Sequence, residues 1–342
     1  MKNTLKGAAC ALILILILSL CSCGDKKPAT ASFEAMDTAM TLTVYGGKDN
    51  VCQTLQDRIT ALDALLDATD KNSEIYHLNT EKTASVSDDT ATLLNESLRL
   101  CGKLDGSFDI TVYPAVEEWG FTTGEYKVPD DKRLSELAAN IDYRTIQSDG
   151  NTFTLNEKTK LDLGAVAKGY AADVSVDIVK ENNAQAAVLN LGGTIALYGK
   201  KPDGSRFTVG VADPDSPASY FGTLSCDKGF IATSGGYERY FERDGKRYIH
   251  ILDPKTAKPV DNGVLSVTII CDKGADADAL STALFVMGLD KATEYYQNTG
   301  GFEFIILTED DNLYITDGVY DDFTLSDGYS YTLHKVKGSL IS

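Results

Sequence analysis

Hydrophobic and polar residues alternate from Met40 to Val44, the period of a half-buried strand, and the run closes at Gly46-Gly47. The period then changes. Leu55, Ile59, Leu62, Leu65 and Leu66 repeat at helical spacing and predict a helix over Val51 to Leu66. Leu93, Leu94, Leu98 and Leu100 predict another over Asp88 to Leu104. Between Phe108 and Thr123 the pattern is lost, and Pro114, Trp119 and the glycines predict an ordered loop. From Asn151 onward short strands dominate, with helices near Ala165 to Lys180 and Asp276 to Gln297. Strands and helices do not alternate strictly, so a doubly wound parallel sheet is disfavoured. The expected class is α+β, with largely antiparallel sheets and packed helices in one domain.

The N-terminus carries a different signal. Lys2 and Lys6 precede an apolar run from Ala8 to Leu20, too short for a hydrocarbon core that needs about twenty residues. Residues 1–22 therefore read as a signal peptide. Leu20 at −3 and Ser22 at −1 give Cys23 the setting of a lipidated first residue, with an ordinary secretory peptide as the alternative. Residues 23–32 read as a tether and 33–342 as the folded domain, exported and anchored to the outer face of the cell membrane. Loss of Lys2 and Lys6 takes the formal charge from −18 to about −20, and the remaining cations form no basic stripe, which argues against nucleic acid as a partner. Cys52, Cys101, Cys226 and Cys271 form no CxxC pair or Cys/His cluster and are expected at least as readily as free thiols as in disulfides.

Three stretches carry candidate chemistry. In Asp276-Ala-Asp-Ala-Leu-Ser-Thr-Ala-Leu-Phe-Val-Met287, Asp278 and Thr282 lie one turn apart on a helix that is apolar nearly all round. A carboxylate buried there needs compensation, either from a hard cation such as Mg²⁺ or by serving, as Asp276 also could, as a helix cap. Asp162-Leu-Gly-Ala-Val-Ala-Lys-Gly-Tyr-Ala-Ala-Asp173 opens a Gly/Ala-rich helix that suits either phosphate, with Lys168 adding charge, or close helix packing. Thr233-Ser-Gly-Gly-Tyr-Glu-Arg239 leads through an Asp244-Gly245 hairpin signal to His250, set between isoleucines in an apolar strand. That position fits a core histidine or a functional one.

These stretches, together with Met36-Asp-Thr38, Ser107-Phe-Asp-Ile-Thr111, Asn190-Leu-Gly-Gly193 and His250-Ile-Leu-Asp-Pro254, resemble in order the motifs of the ApbE family of FAD:protein FMN transferases, from about Phe33 to Gly301. The resemblance implies a single catalytic domain that cleaves FAD with Mg²⁺ and moves FMN to a threonine of an exported or membrane redox protein, releasing AMP. It implies His250 as the catalytic histidine. Asp278, Thr282, Ser281 and the Ala165 carbonyl become metal ligands, and Met36, Ser107, Phe108, Asp109, Asp162, Lys168 and the backbone near Leu252 become FAD contacts. Three positions depart from the pattern: Asp37 replaces a common glycine, Tyr113 stands where glycine is common before Pro114, and Thr69 occupies a place that is aromatic in some members. A magnesium-dependent FAD pyrophosphatase and a noncatalytic flavin-binding lipoprotein are the competing readings.

Overall fold

Strand pairing begins earlier than the tether reading predicts. The computed structural model describes residues 27–338, and the leader and Cys23 lie outside them. Strand β1 (Ala29–Ala35) already pairs Ala29 with Val44 of β2 (Thr38–Gly46), so residues 29–32 belong to the sheet. The small and hydroxylated residues of 29–32 read as linker by composition, yet their alternation serves an edge strand equally well.

Seven further strands complete one sheet: β3 (Ala184–Asn190), β4 (Thr194–Gly199), β5 (Gly229–Gly235), β6 (Val264–Cys271), β7 (Phe302–Thr308), β8 (Asn312–Thr316) and β9 (Thr332–Val336). The nine lie side by side in chain order, every neighbouring pair antiparallel except β8 and β9, which run parallel. This is the antiparallel α+β architecture the sequence predicts. The central strands are buried on both faces and therefore read as continuous apolar runs. Ala187 and Leu189 of β3 join the core under the helices, while Ala186 and Val188 pack toward a second sheet of Phe207–Asp213, Ser216–Cys226 and Phe323–Leu325.

Local rules explain most of the helices. In α1 (Val51–Leu66) the buried residues Val51, Leu55, Ile59, Leu62 and Leu66 recur on one face. Helix α2 (Glu74–Glu81) starts at Ser73, whose side chain accepts from the Tyr76 amide. Ser87 caps α3 (Asp88–Lys103) in the same way, with Asp88 and Asp89 in its first turn and Lys103 in its last. The loop predicted over Phe108 to Thr123 instead contains α4 (Tyr113–Trp119). Pro114 sits in its first turn, where no amide donor is needed, and Gly120 ends it at φ 84°. Asp130 caps α5 (Asp131–Ala138). Cys52, Cys101 and Cys226 are buried free thiols, and Cys271 is a partly exposed one.

The two helices that matter for the site are α6 (Ala167–Glu181) and α7 (Gly274–Thr299). The predicted continuous helix over Asp276 to Gln297 is broken at Gly288 (φ 74°), and Asn262 Nδ2 donates to the Phe285 carbonyl beside the break. The N-terminal ends of α6 and α7 touch through glycine. A Cβ on Gly169 would stand 2.2 Å from the Gly274 carbonyl oxygen, and one on Gly274 would stand 2.3 Å from that of Gly169. Gly169→Ala is therefore expected to lower stability by about 1–3 kcal/mol, read by thermal or urea unfolding. An unchanged melting curve would show that the helix ends separate freely.

Candidate functional site

Residues remote in sequence meet in one cleft of about 460 Å³ at the N-terminal ends of α6 and α7. Its wall is built from the β1–β2 turn, the end of α1, the loop before α4, the start of α6, the end of β5 and the segment from Glu238 to Pro254. Of the residues singled out in the sequence, Met36, Ser107, Phe108, Asp109, Asp162, Ala165, Lys168, His250, Leu252, Asp278 and Thr282 all line it. Ser281 does not. It is fully buried behind the wall, donating to the Asp278 carbonyl at 2.8 Å and bonded to the Ser234 hydroxyl at 2.8 Å.

Asp278 is compensated by protein, which the sequence could not reveal. Its Oδ2 accepts from the Gly169 amide at 2.9 Å and its Oδ1 from the Thr194 hydroxyl at 3.4 Å. It thus caps α6 rather than its own helix. The reciprocal bond exists: Asp173 of α6 accepts from the Gly274 and Ala275 amides at 2.7 and 2.9 Å, and Asp276 pairs with Arg99. The cap expected of Asp276 or Asp278 on their own helix is therefore supplied from α6. The orphan amides of each helix start are satisfied by a carboxylate on the other. This leaves Asp278 Oδ1 with one long contact, and Asp278 lines the cleft together with Thr282, whose hydroxyl is 3.1 Å from Ser234 Oγ.

His250 stands outside the strand predicted for it. Lys246–Ile249 ends one residue earlier, and both the His250 amide and its ring Nδ1 turn to the Arg239 carbonyl, at 3.0 and 3.1 Å. With Nδ1 as the donor, Nε2 is the ring nitrogen left to accept. Burial, followed by the Arg239 charge, pushes the imidazole down to about 4, so the ring is neutral at neutral pH.

The Met36-Asp37 pair forms the β1–β2 turn with both residues at positive φ (49° and 58°), which accounts for a glycine preference at position 37. The Asp109 carboxylate is held by the loop itself, accepting from the Thr111 amide and hydroxyl and from the Tyr143 amide. Asp162 accepts from the Gly164 amide at 2.8 Å. Burial raises its carboxyl, opposed by that amide and then by Arg239 and Lys168. Asn190 Oδ1 accepts from the Gly192 amide, so Asn190-Leu-Gly-Gly193 is the turn between β3 and β4.

Several cleft residues escaped the sequence reading. Asp63 and Asp67 lie at the C-terminal end of α1, Glu238 and Arg239 follow β5, and Arg239 reaches Asp37 at 3.1 Å across the cleft. One signal was legible: carboxylates at a helix C-terminus oppose the helix dipole and need a reason to be there. Among the described residues the cleft is lined by Asp37, Asp63, Asp67, Asp109, Asp162, Glu238 and Asp278 against only Lys168 and Arg239 as cations. An anionic diphosphate entering this field needs added positive charge. Among the described residues no cluster of three or more His, Cys, Asp or Glu side chains is placed to hold a metal. The donors here are one carboxylate with hydroxyl and carbonyl oxygens. That set suits a hard cation that keeps water and substrate oxygens in its shell.

The sequence matches the ApbE family profile over residues 36–306. It is 34% identical to an FAD:protein FMN transferase of Vibrio cholerae over 65% of this chain and 68% of that protein. It is 30% identical to that of Escherichia coli K12 over 75% and 77%. The fold is similar to the crystal structure of the ApbE protein of Thermotoga maritima, with a TM-score of 0.78 at 30% identity, covering 88% of this chain and 97% of that one. It is similar also to the apo flavinyl transferase ApbE of Pseudomonas stutzeri, with a TM-score of 0.76 at 26% identity over 84% and 93%.

Proposed function

This chain belongs to the ApbE family and is, like its named relatives, an FAD:protein FMN transferase; we propose that it works with Mg²⁺ and delivers FMN to a threonine hydroxyl of an exported or membrane redox protein. The observation that carries this reading is the cleft itself. It sets a neutral histidine and a sparse hard-oxygen donor set into a field too acidic for a diphosphate alone. Asp278, Thr282 and the Ala165 carbonyl would hold the ion, with Ser281 supporting Thr282 through Ser234. When bound, magnesium supplies neutralisation of the pyrophosphate charge.

The chain's own residues do the rest. Lys168 and Arg239 offer positive charge to FAD phosphates, and Met36, Ser107, Phe108, Asp162 and Leu252 line its seat. His250 Nε2 takes the proton from the acceptor threonine as its Oγ bonds to the FMN-side phosphorus. The pyrophosphate P–O bond breaks, and the electron pair leaves with AMP. The test is to incubate the protein with FAD, Mg²⁺ and a candidate exported redox subunit, then look for flavin fluorescence in a denaturing gel. Fluorescence on the acceptor together with AMP release supports the transferase; AMP and free FMN without labelled acceptor would make it a hydrolase.

The enzyme reaches its acceptor by residence on the same membrane. The leader and its Leu20 to Cys23 stretch support lipidation at Cys23 with residues 1–22 removed, and anchoring raises the local concentration of membrane-bound acceptors. Among the described residues no helix is long and apolar enough to cross a membrane. Cys23→Ala is expected to move the protein from the membrane to the soluble fraction, measured by fractionation and by mass spectrometry of the N-terminus. Retention of diacylglycerol on another residue would refute the assignment.

A further inference from the structure

The strands Tyr240–Arg243 and Lys246–Ile249 form a hairpin apart from the main sheet, closed at Asp244-Gly245 with both residues at positive φ (54° and 74°). Phe241 and Tyr248 stand opposite each other and stack at 5.1 Å; Trp119 of α4 packs on Tyr248 at 5.5 Å and Tyr126 stacks on Phe241 at 4.8 Å. This row of four rings fixes the hairpin to α4. Strand alternation puts Tyr240 and Arg247 on the other face, where the guanidinium lies 4.2 Å from the ring centroid. Among the described residues four large hydrophobic side chains are exposed. Tyr240 (41%) and Tyr126 (39%) are two of them, and a third, Val128 (39%), follows Tyr126 by two residues.

This surface runs into the cleft wall. His250 directly follows Ile249, and the ring of Phe121, which lines the cleft, stands 6.5 Å from the His250 ring and 5.7 Å from that of Tyr126. Its charge is opposite to that of the chain. Residues 239–247 hold Arg239, Arg243, Lys246 and Arg247 against Glu242 and Asp244, in a protein of formal charge −18. Lys246 and Arg247 pair with the exposed Asp261 and Glu242 at 3.0 and 3.4 Å, contacts worth little in water. Arg243 forms no ion pair among the described residues and donates to the Tyr126 carbonyl at 3.2 Å.

We propose that this hairpin, with the adjoining Tyr126 to Val128 stretch, is the surface on which the acceptor protein docks, and that it takes an acidic, extended segment carrying the threonine. This rests on the FAD:protein FMN transferase reading and deepens it. The cleft of about 460 Å³ must also hold FAD, so the threonine enters on a protruding segment rather than on a flat face. An acidic partner is repelled by most of this protein, and a basic hairpin beside His250 gives its encounter a place and an orientation. Exposed tyrosine and arginine are the side chains that supply binding energy in such contacts.

The experiment titrates the protein, loaded with FAD and Mg²⁺, with two dye-labelled peptides and reads binding by fluorescence anisotropy. One peptide carries a single threonine among aspartate and leucine residues; the other has lysine in place of aspartate. Wild type is compared with the double variant Arg243→Glu/Arg247→Glu and with Tyr240→Ser, and FAD affinity and melting temperature are measured on each. Charge reversal is expected to weaken the acidic peptide about tenfold at low salt, by a margin that narrows as salt is added, while the Kd for FAD stays within about twofold. Tyr240→Ser is expected to weaken the same peptide about fivefold. Wild type that does not bind the acidic peptide, binds the lysine peptide more tightly, or binds the acidic one no better than the charge-reversed variant would overturn the assignment. So would a wild-type dimer that charge reversal dissolves, since the surface would then belong to a second copy of the chain. Failure of wild type to bind FAD at all would instead overturn the transferase reading.

Discussion

Replacing His250 with alanine is expected to lower flavin transfer by roughly 10²–10⁴-fold while leaving the Kd for FAD nearly unchanged. The residue sits in the cleft wall with Nδ1 bonded to a backbone carbonyl, so Nε2 is the atom available to the acceptor hydroxyl. A histidine serving only the fold would behave differently, since its loss would weaken FAD binding and lower the melting temperature together. The pH profile adds a second test. Burial and the Arg239 charge hold the folded-state pKa at about 4, below the ordinary 6.5, so the neutral base persists through the mildly acidic range. The value of kcat/KM for FAD should therefore stay level from pH 8 to about pH 5 and fall below that. Stability follows with a definite sign. Between 6.5 and about 4 the unfolded chain binds this proton and the folded one does not, so His250 makes the protein less stable as pH falls through that window. Alanine at 250 should remove that component. A transfer rate with an acid limb centred near 6.5, or near-normal transfer by a folded variant, would take His250 out of the mechanism.

Asp278 permits a sharper comparison, because its two oxygens have different duties. Asparagine at 278 keeps an oxygen for the Gly169 amide and loses the charge. Alanine loses both. Asp278→Asn is therefore expected to melt close to wild type while magnesium-dependent AMP release falls by at least about 10²-fold. Asp278→Ala should show the same loss of turnover and also a stability cost of about 1–3 kcal/mol, because a buried amide is left without its acceptor. Parallel magnesium titrations of AMP release and thermal melts of the two variants measure both effects. Full turnover of Asp278→Asn at limiting magnesium would remove Asp278 from the metal site. Equal melting of the alanine and asparagine variants would remove it from the cap of α6.

The relation between sequence and fold is clearest in these same residues. Helix α1 was legible because Leu55, Ile59, Leu62 and Leu66 repeat within a few turns, and local periodicity is a property of the chain alone. The antiparallel class followed from the order of elements, and the site's residue types from motifs spread between Met36 and Thr282. Helix α4 was hidden because Pro114 breaks helices at every position but the first turn, and nothing local says which position it holds. The break at Gly288 was hidden because helical spacing continues through it; Asn262, from another segment, bonds the carbonyl freed beside it.

What only the tertiary structure decided is how distant groups complete one another. From the sequence, Asp278 was a carboxylate in an apolar helix, equally suited to a cap or a cation; the crossing of α6 and α7 at Gly169 and Gly274 gives one of its oxygens to a neighbouring amide and leaves the other with a single long contact, to the Thr194 hydroxyl. His250 lay in an apolar run until a carbonyl eleven residues away turned it off the strand. The acidity of the cleft likewise became visible only when the end of α1, the turn at Asp37 and the segment at Glu238 were brought together. Periodicity and capping act between residues a few positions apart, and so they can be read along the chain. Charge, burial and hydrogen-bond satisfaction act through space, and they are determined only once the chain has folded.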